Sequence, residues 1–350
     1  MKVTVAVACY NLENFISKCL DSVVRQDYAD MEIIVVDDCS TDNSREVINN
    51  FVAEHPEREI RLICHQKNQG ISQNRNTSIE AAKGDSIFFI DGDDTIETNT
   101  ITMLYRKMLE TDADLVCSSF RMVDVEGETI REYEYPEDTV KADFAVARYI
   151  EKHVSGYFPM FVHMKLYRLQ FLKDNHILLM PNLRGVCEDH VFTFEVAWKV
   201  RRIAFLHTVL YNWTQHPMSL SHRTDQIIYG WAKKSKEVLL DRYADLRTAV
   251  KKMDIPTGAY WLLNTMLLTD GTLRHMLSSD VTDKEKNSFL RELKMRYAEN
   301  HIGWNEVPGI YNRLSYLILI SPFPYPLFQF YFRHLKTIVW LVKHTRLFAR

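Results

Sequence analysis

The chain has 350 residues, a formal net charge of -3 and 46% apolar residues. That balance supplies a sizeable core and excludes the basic excess of a general nucleic-acid binder. The six cysteines, Cys9, Cys19, Cys39, Cys64, Cys117 and Cys187, show no metal-type spacing and sit mostly in apolar runs, so they read as buried free thiols.

The sequence enters an apolar, strand-like run at Val3 with no basic region or cleavage site before it. No secretory signal is expected, which favours the cytoplasm. Residues 3–8 read as a buried strand. Asn11 stands where an N-cap would open a helix whose apolar stripe is Phe15, Ile16, Cys19, Leu20, Val23 and Val24. Residues 32–36 form a second strand, and Ser40 is placed to cap a second helix with the stripe Val47, Ile48, Phe51 and Val52. A third strand at 61–64 leads to a helix at 71–82 ended by Gly84. A fourth strand at 86–90, a helix at 100–109 and a strand at 115–120 follow. Strands and helices alternating this closely imply right-handed βαβ units and a mostly parallel sheet.

Residues 127–143 are polar and acidic and read as an excursion or an acceptor-side loop. Helices are expected to dominate from 142 to 200 and again from 225 onward. Glu306 is the last acidic residue, and Arg313, Arg333, Lys336, Lys343, Arg346 and Arg350 follow it. Residues 314–332 form an uncharged, aromatic-rich stretch that Pro322, Pro324 and Pro326 interrupt, which argues against a straight spanning helix. Residues 332–350 carry apolar side chains and basic charges with no acid among them, a pattern that fits a helix lying on an anionic membrane surface; a helix docked on the protein's own core is the alternative.

In parallel sheets ligands bind beyond the carboxyl ends of the strands. The first strand runs out into Tyr10 and Asn11, the second into Asp37 and Asp38, the fourth into Asp91, Gly92, Asp93 and Asp94. An aspartate can accept the N–H of a uracil and a tyrosine can pack on its face. Aspartates alone would repel a nucleoside diphosphate, so the cluster at 91–94 makes sense with a divalent cation, Mn2+ or Mg2+, between it and the phosphates. Glu188 and Asp189 open another helix, where acids also favour the helix dipole.

The run VAVACYNLENFISKCLDSVVRQDYADMEIIVVDDCSTDNS, followed by NQGISQNRNTSIEAAKGDSIFFIDGDD, resembles family 2 glycosyltransferases with the GT-A fold. The resemblance is strong over residues 1–120, weaker to 222 and absent beyond. It implies an α/β GT-A domain with a Rossmann-like, mostly parallel sheet flanked by helices over 1–222. The nucleotide-sugar half would be 1–120 and the acceptor-side half 121–222, with a helical C-terminal extension at 223–350.

By that resemblance Asp38 contacts uracil or ribose, Arg75 lies near the nucleotide or its phosphates, and Asp93 and Asp94 hold metal and ribose. Tyr10, Asn11 and Asp91 belong to the donor site, and Asp189, with Glu188 beside it, is the catalytic base. The family usually has Pro at the position of Ala8 and often Gly at that of Cys39. Lys165 lies in a segment similar to the family's Trp-Asn-Lys-Leu, here His163-Met164-Lys165-Leu166, and is a candidate phosphate ligand. Residues 211–221 resemble a Tyr-x-Tyr-Arg...Ser segment with Thr214 in place of Arg, so His216 or Ser219 is a candidate for the metal or diphosphate.

The implied reaction is an inverting transfer from a nucleotide sugar, with UDP expected, to a hydroxyl of a saccharide or lipid-linked acceptor in cell-envelope synthesis. The enzyme would be peripheral on the inner membrane face. A catalytically inactive nucleotide-sugar binder and a nucleotidyltransferase on a related fold are the alternatives. Neither a GxGxxG turn nor a P-loop is present to support a dinucleotide or P-loop site.

Overall fold

A computed structural model describes residues 2–153, 158, 160–181, 188–217 and 219, with isolated positions between 237 and 295. The chain divides into two units, Met1–His222 and Arg223–Arg350. The described residues lie almost entirely in the first, and the basic tail at 332–350 lies outside them. Among the described residues no helix is long and apolar enough to cross a membrane.

β1 (Val3–Cys9) and β2 (Met31–Asp37) are buried along their whole length. Such continuous apolar runs are what central parallel strands require, because helices cover both faces. β1 pairs in parallel with β2 on one side and β4 (Ser86–Asp91) on the other. β3 (Glu59–Cys64) is the half-exposed edge beside β2. The helices α1 (Ile16–Val24), α2 (Ser44–Glu54), α3 (Ile71–Ala81) and α4 (Thr100–Thr111) complete this half. α1 buries Ile16, Cys19, Leu20, Val23 and Val24, the stripe that its spacing predicts.

Two cap expectations are corrected. α1 begins at Ile16, and Asn11 stands five residues earlier with φ of 54°. α2 begins at Ser44, and Ser40 lies in the loop before it. Both side chains join the loops after β1 and β2 instead. Asn11 N donates to Ser40 Oγ at 2.9 Å and Thr41 N donates to Asn11 Oδ1 at 2.8 Å.

The second half departs further from expectation. The segment 127–143 forms two strands, β7 (Thr129–Tyr133) and β8 (Asp138–Lys141). They pair with β6 (Leu115–Val123) and β10 (Arg202–Thr214) respectively. The helices α5 (Ala145–Lys152), α6 (Leu169–Asp174) and α7 (Glu188–Lys199) are present, but β9 (Lys165–Arg168) is inserted between them. With the short β5 (Thr95–Ile96), the sheet order is β3-β2-β1-β4-β9-β6-β10-β5, and β7 and β8 branch from it. β9 runs antiparallel to both β4 and β6 and joins the two parallel parts. Phe192 of α7 packs edge-on against Phe89 of β4 and Tyr167 of β9, which fixes the start of α7 over the middle of the sheet.

Of the cysteines, Cys9, Cys19 and Cys117 are buried and free, as their apolar settings predict, Cys39 is half-buried and Cys64 is exposed on the edge strand. Cys187 lies outside the described residues. Cys39 has φ of 63°, a left-handed conformation that glycine adopts at no steric cost.

Candidate active site

The parallel register sets Cys9 opposite Asp37 and Ala8 opposite Asp91. The segments after β1, β2 and β4 therefore leave the sheet at one end. Tyr10 follows β1 and is 44% exposed, with its ring available to a flat ligand. Asp38 is buried, and its carboxylate is spent on the chain. Gln69 N and Gly70 N donate to it at 2.8 and 2.7 Å, and His65 Nδ1 lies 2.7 Å away. Gly70, with φ of 88°, turns directly into α3. Asp38 thus positions the start of the helix that carries Arg75. His65, which links Asp38 to Thr77 at 3.0 Å, had no signal in the sequence.

Arg75 is buried and bridges two carboxylates. Its Nη2 donates to Asp91 Oδ1 at 2.7 Å, and its Nη1 donates to Asp189 Oδ1 at 2.5 Å. Burial opposes its charge, but Asp189 and Asp91 outweigh that and hold the guanidinium protonated. Burial likewise works against the charge of Asp91, and Arg75 overcomes it, so this carboxyl stays below the usual carboxylate range. Asp189 stands in the first turn of α7, and its Oδ2 also receives Val162 N at 3.3 Å. Glu188 beside it is buried, and burial together with the Asp189 charge pushes it up to about 7. Of these adjacent acids, Asp189 makes the ion pair and Glu188 tends to keep its proton.

Gly92 lets the acidic turn pass close to β1. A Cβ there would meet the Ala8 carbonyl oxygen at 2.7 Å. Beyond it, the next two aspartates diverge. Asp94 is buried, Tyr211 OH donates to its Oδ2 at 2.5 Å and Thr214 N donates to its Oδ1 at 2.7 Å. Burial, then Asp93 and Asp91, push it well above the ordinary carboxylate range. Its geometry ties the turn to β10. Asp93 keeps its carboxylate toward His216, whose Nε2 is 2.9 Å from Asp93 Oδ2. The imidazole is held by stacking on Phe15 at 4.4 Å.

Among the described residues no group of three or more His, Cys, Asp or Glu side chains is placed to hold a metal by itself. The Asp93–His216 pair nonetheless fits a cation bound in part by phosphate. Neighbouring ligands on an octahedral ion with bonds of about 2.1 Å stand about 3 Å apart, and magnesium commonly takes only one or two carboxylates plus substrate phosphates. An imidazole beside a carboxylate also suits manganese.

Lys165 is fully buried, and its Nζ donates to the Phe161 carbonyl, with burial pulling it down to about 8. It holds the turn before β9, and nothing in its described contacts turns it toward a phosphate. Ser219 is buried, with its N donating to His216 O at 3.0 Å. His163, seen in the sequence only as a departure from Trp, stacks on Tyr211 and lies beside Asp91.

The family model described as "Glycosyl transferase family 2" matches residues 4–170. This domain belongs to glycosyl transferase family 2, with the GT-A fold. The chain is 27% identical over 265 residues to glycosyltransferase GlyA of Streptococcus pneumoniae, a match covering 73% of this chain and 35% of that protein. It thus spans about a third of that relative. Among solved structures, TarS residues 1–349 of S. aureus in complex with UDP-GlcNAc superpose with a TM-score of 0.65 at 21% identity, covering 91% of this chain and 89% of that one. The mannosyltransferase PcManGT from Pyrobaculum calidifontis, in complex with GDP-Man and Mn2+, gives 0.54 at 15% identity, covering 97% and 86%. At these identities the likeness is one of fold.

Proposed function

We propose that the protein is an inverting glycosyltransferase that moves a sugar from a nucleoside-diphosphate sugar, with UDP the expected nucleotide, to a hydroxyl acceptor. The observation that carries this reading is the Arg75 bridge. It holds Asp189, at the start of α7, beside the acidic turn that contains Asp93. Asp189 takes the proton of the acceptor hydroxyl as that oxygen bonds to the anomeric carbon. The bond from that carbon to the diphosphate oxygen breaks, and its electron pair leaves with the nucleoside diphosphate. One displacement needs one base and no carboxylate nucleophile.

Tyr10 packs on the base, with Asn11 and Asp38 setting the loops around it. Arg75 and Asp91 border the sugar and the reacting bond. Asp93 and His216 would hold a divalent cation, which would supply positive charge opposite the departing diphosphate. Asp94 supports that pair through Tyr211 and Thr214. Ser219 lies next to His216 on the diphosphate side, and Lys165 acts from beneath, by shaping the turn at 161–165. The TarS complex with UDP-GlcNAc and the PcManGT complex with Mn2+ support the donor class and the cation. The test is a panel of nucleotide sugars scored by nucleoside diphosphate release with the cation present. Release from one or a few donors supports the reading; release from none, with saccharide and lipid-linked acceptors supplied, contradicts it.

The one-sided charge after Glu306 supports a further placement, on the cytoplasmic face of an anionic membrane and close to a lipid-linked acceptor. Replacing Lys336, Lys343 and Arg346 with Glu should abolish salt-sensitive co-sedimentation with anionic vesicles. Unchanged sedimentation would refute the placement.

A further inference from the structure

His163 is 4% exposed, in the turn that leads into β9. Its ring stacks on Tyr211 with centroids 4.8 Å apart and on Phe161 at 5.2 Å. Trp213 is a third aromatic neighbour, at 6.1 Å. A phenyl or indole ring could fill such a pocket without bringing polar atoms into it. The imidazole does bring them, and neither ring nitrogen has a hydrogen-bond partner among the described residues. Buried polar atoms left in that state cost free energy, so their retention points to a partner that enters from outside the chain.

The position of Nδ1 indicates which partner. It lies 3.8 Å from Asp91 Oδ2, too far for a direct hydrogen bond. One oxygen atom can nevertheless stand about 2.8 Å from both atoms at once, at the apex of a triangle whose base is that gap. It would accept a hydrogen bond from Nδ1–H and donate its own proton to the Asp91 carboxylate. A sugar hydroxyl does both. The Asp91 side chain is 30% exposed and that of His163 only 5%, so a hydroxyl would reach this gap from the Asp91 side. Arg75 occupies the other carboxylate oxygen, Oδ1, and leaves Oδ2 facing His163.

We propose that His163 and Asp91 form a hydroxyl-binding pair that recognises one hydroxyl of the donor sugar, making His163 a specificity-determining residue. This rests on the reading that the site takes a nucleotide sugar. The pair touches the sugar alone, so it should contribute to binding of the whole donor and not to binding of the nucleotide.

Calorimetric titration of the full chain with UDP, and with UDP-glucose, UDP-galactose, UDP-GlcNAc and UDP-GalNAc in the presence of Mn2+, tests it. For the sugar nucleotide bound best, His163→Phe keeps the stack and should weaken affinity about tenfold, while UDP changes less than twofold. His163→Gln, which restores an N–H donor, should recover part of the loss. Single-deoxy analogues of that donor provide an arm that needs no variant: one of them should bind the wild-type protein about tenfold more weakly than the parent, the net worth of one hydrogen bond. Equal weakening of UDP and donor by His163→Phe, no weakening of either, or equal binding of all deoxy analogues would overturn the pair. Failure of the wild-type chain to bind any of these sugar nucleotides would instead sink the donor reading, and this inference with it.

Discussion

Arg75 and Asp189, 114 residues apart in sequence, meet in an ion pair of 2.5 Å that ties α3 to the first turn of α7. The same guanidinium holds Asp91 at the end of β4. One buried cation thus sets the distance between the first half of the domain and the helix that carries the proposed base. A bidentate fork does this where a lysine ammonium, a point charge, would not.

Removing that cation should cost stability as well as activity. Arg75→Ala leaves two largely enclosed carboxylates facing each other, and breaking a buried pair typically costs about 3 kcal/mol or more. Arg75→Lys should recover much of the stability but little of the turnover, because it cannot hold both acids in one geometry. Urea unfolding alongside donor turnover checks this. An Arg75→Ala variant as stable as wild type would show that the bridge does not organise the site.

Glu188 predicts a pH dependence of stability. Burial and Asp189 raise it to about 7 from the ordinary 4.5, so between those values the folded chain holds a proton that the unfolded chain has lost. The stability it contributes is fully present below about pH 4.5 and is lost as pH rises through about 7. Glu188→Gln removes this dependence. The difference in Tm between variant and wild type should therefore grow in favour of the variant from about pH 5 to about pH 8. A difference that stays constant over that range would contradict the assignment.

The first half of this architecture was legible in the sequence because its strands are unbroken apolar runs that stop at polar residues, and its helices carry clean stripes. The second half was not. β7 lies in a polar, acidic stretch, and all five of its residues are half-buried or exposed, so no alternation marked it. β9 has only four residues, within the range where periodicity cannot separate a strand from a buried stretch of helix. The Asn11 and Ser40 caps failed because each side chain found a partner in the other's loop, a long-range bond that local spacing does not encode.

The acidic residues and Arg75 of the candidate site stood out in the sequence, but their pairings did not. Adjacent Asp93 and Asp94 read alike in sequence, and only β10 separates them by supplying Tyr211 and Thr214 to the second. Left-handed Cys39 and Met164, with φ of 63° and 59°, stand where the family often has Gly and Asn, two residues that tolerate that conformation.

The same division predicts how metal binding responds to substitution. Asp93→Ala and His216→Ala should each abolish Mn2+-dependent strengthening of nucleotide binding while leaving the fold intact. Asp94→Ala should lower Tm as well, because it strips two hydrogen bonds from the β10 contact. Calorimetric titration of UDP with and without Mn2+, together with thermal melts, separates the two classes. Nucleotide affinity unaffected by chelator in the wild-type chain would refute the role given to the Asp93–His216 pair.

The most direct measurement of the central claim is single-turnover transfer by Asp189→Asn, made with the donor that the panel identifies. The amide keeps the shape at the start of α7 and cannot take a proton. Nucleotide-sugar affinity should remain within a few-fold of wild type, and the transfer rate should fall by roughly a hundred- to ten-thousandfold. Transfer at the wild-type rate by a folded Asp189→Asn protein would show that the base lies elsewhere and that the Arg75–Asp189 pair serves only the fold.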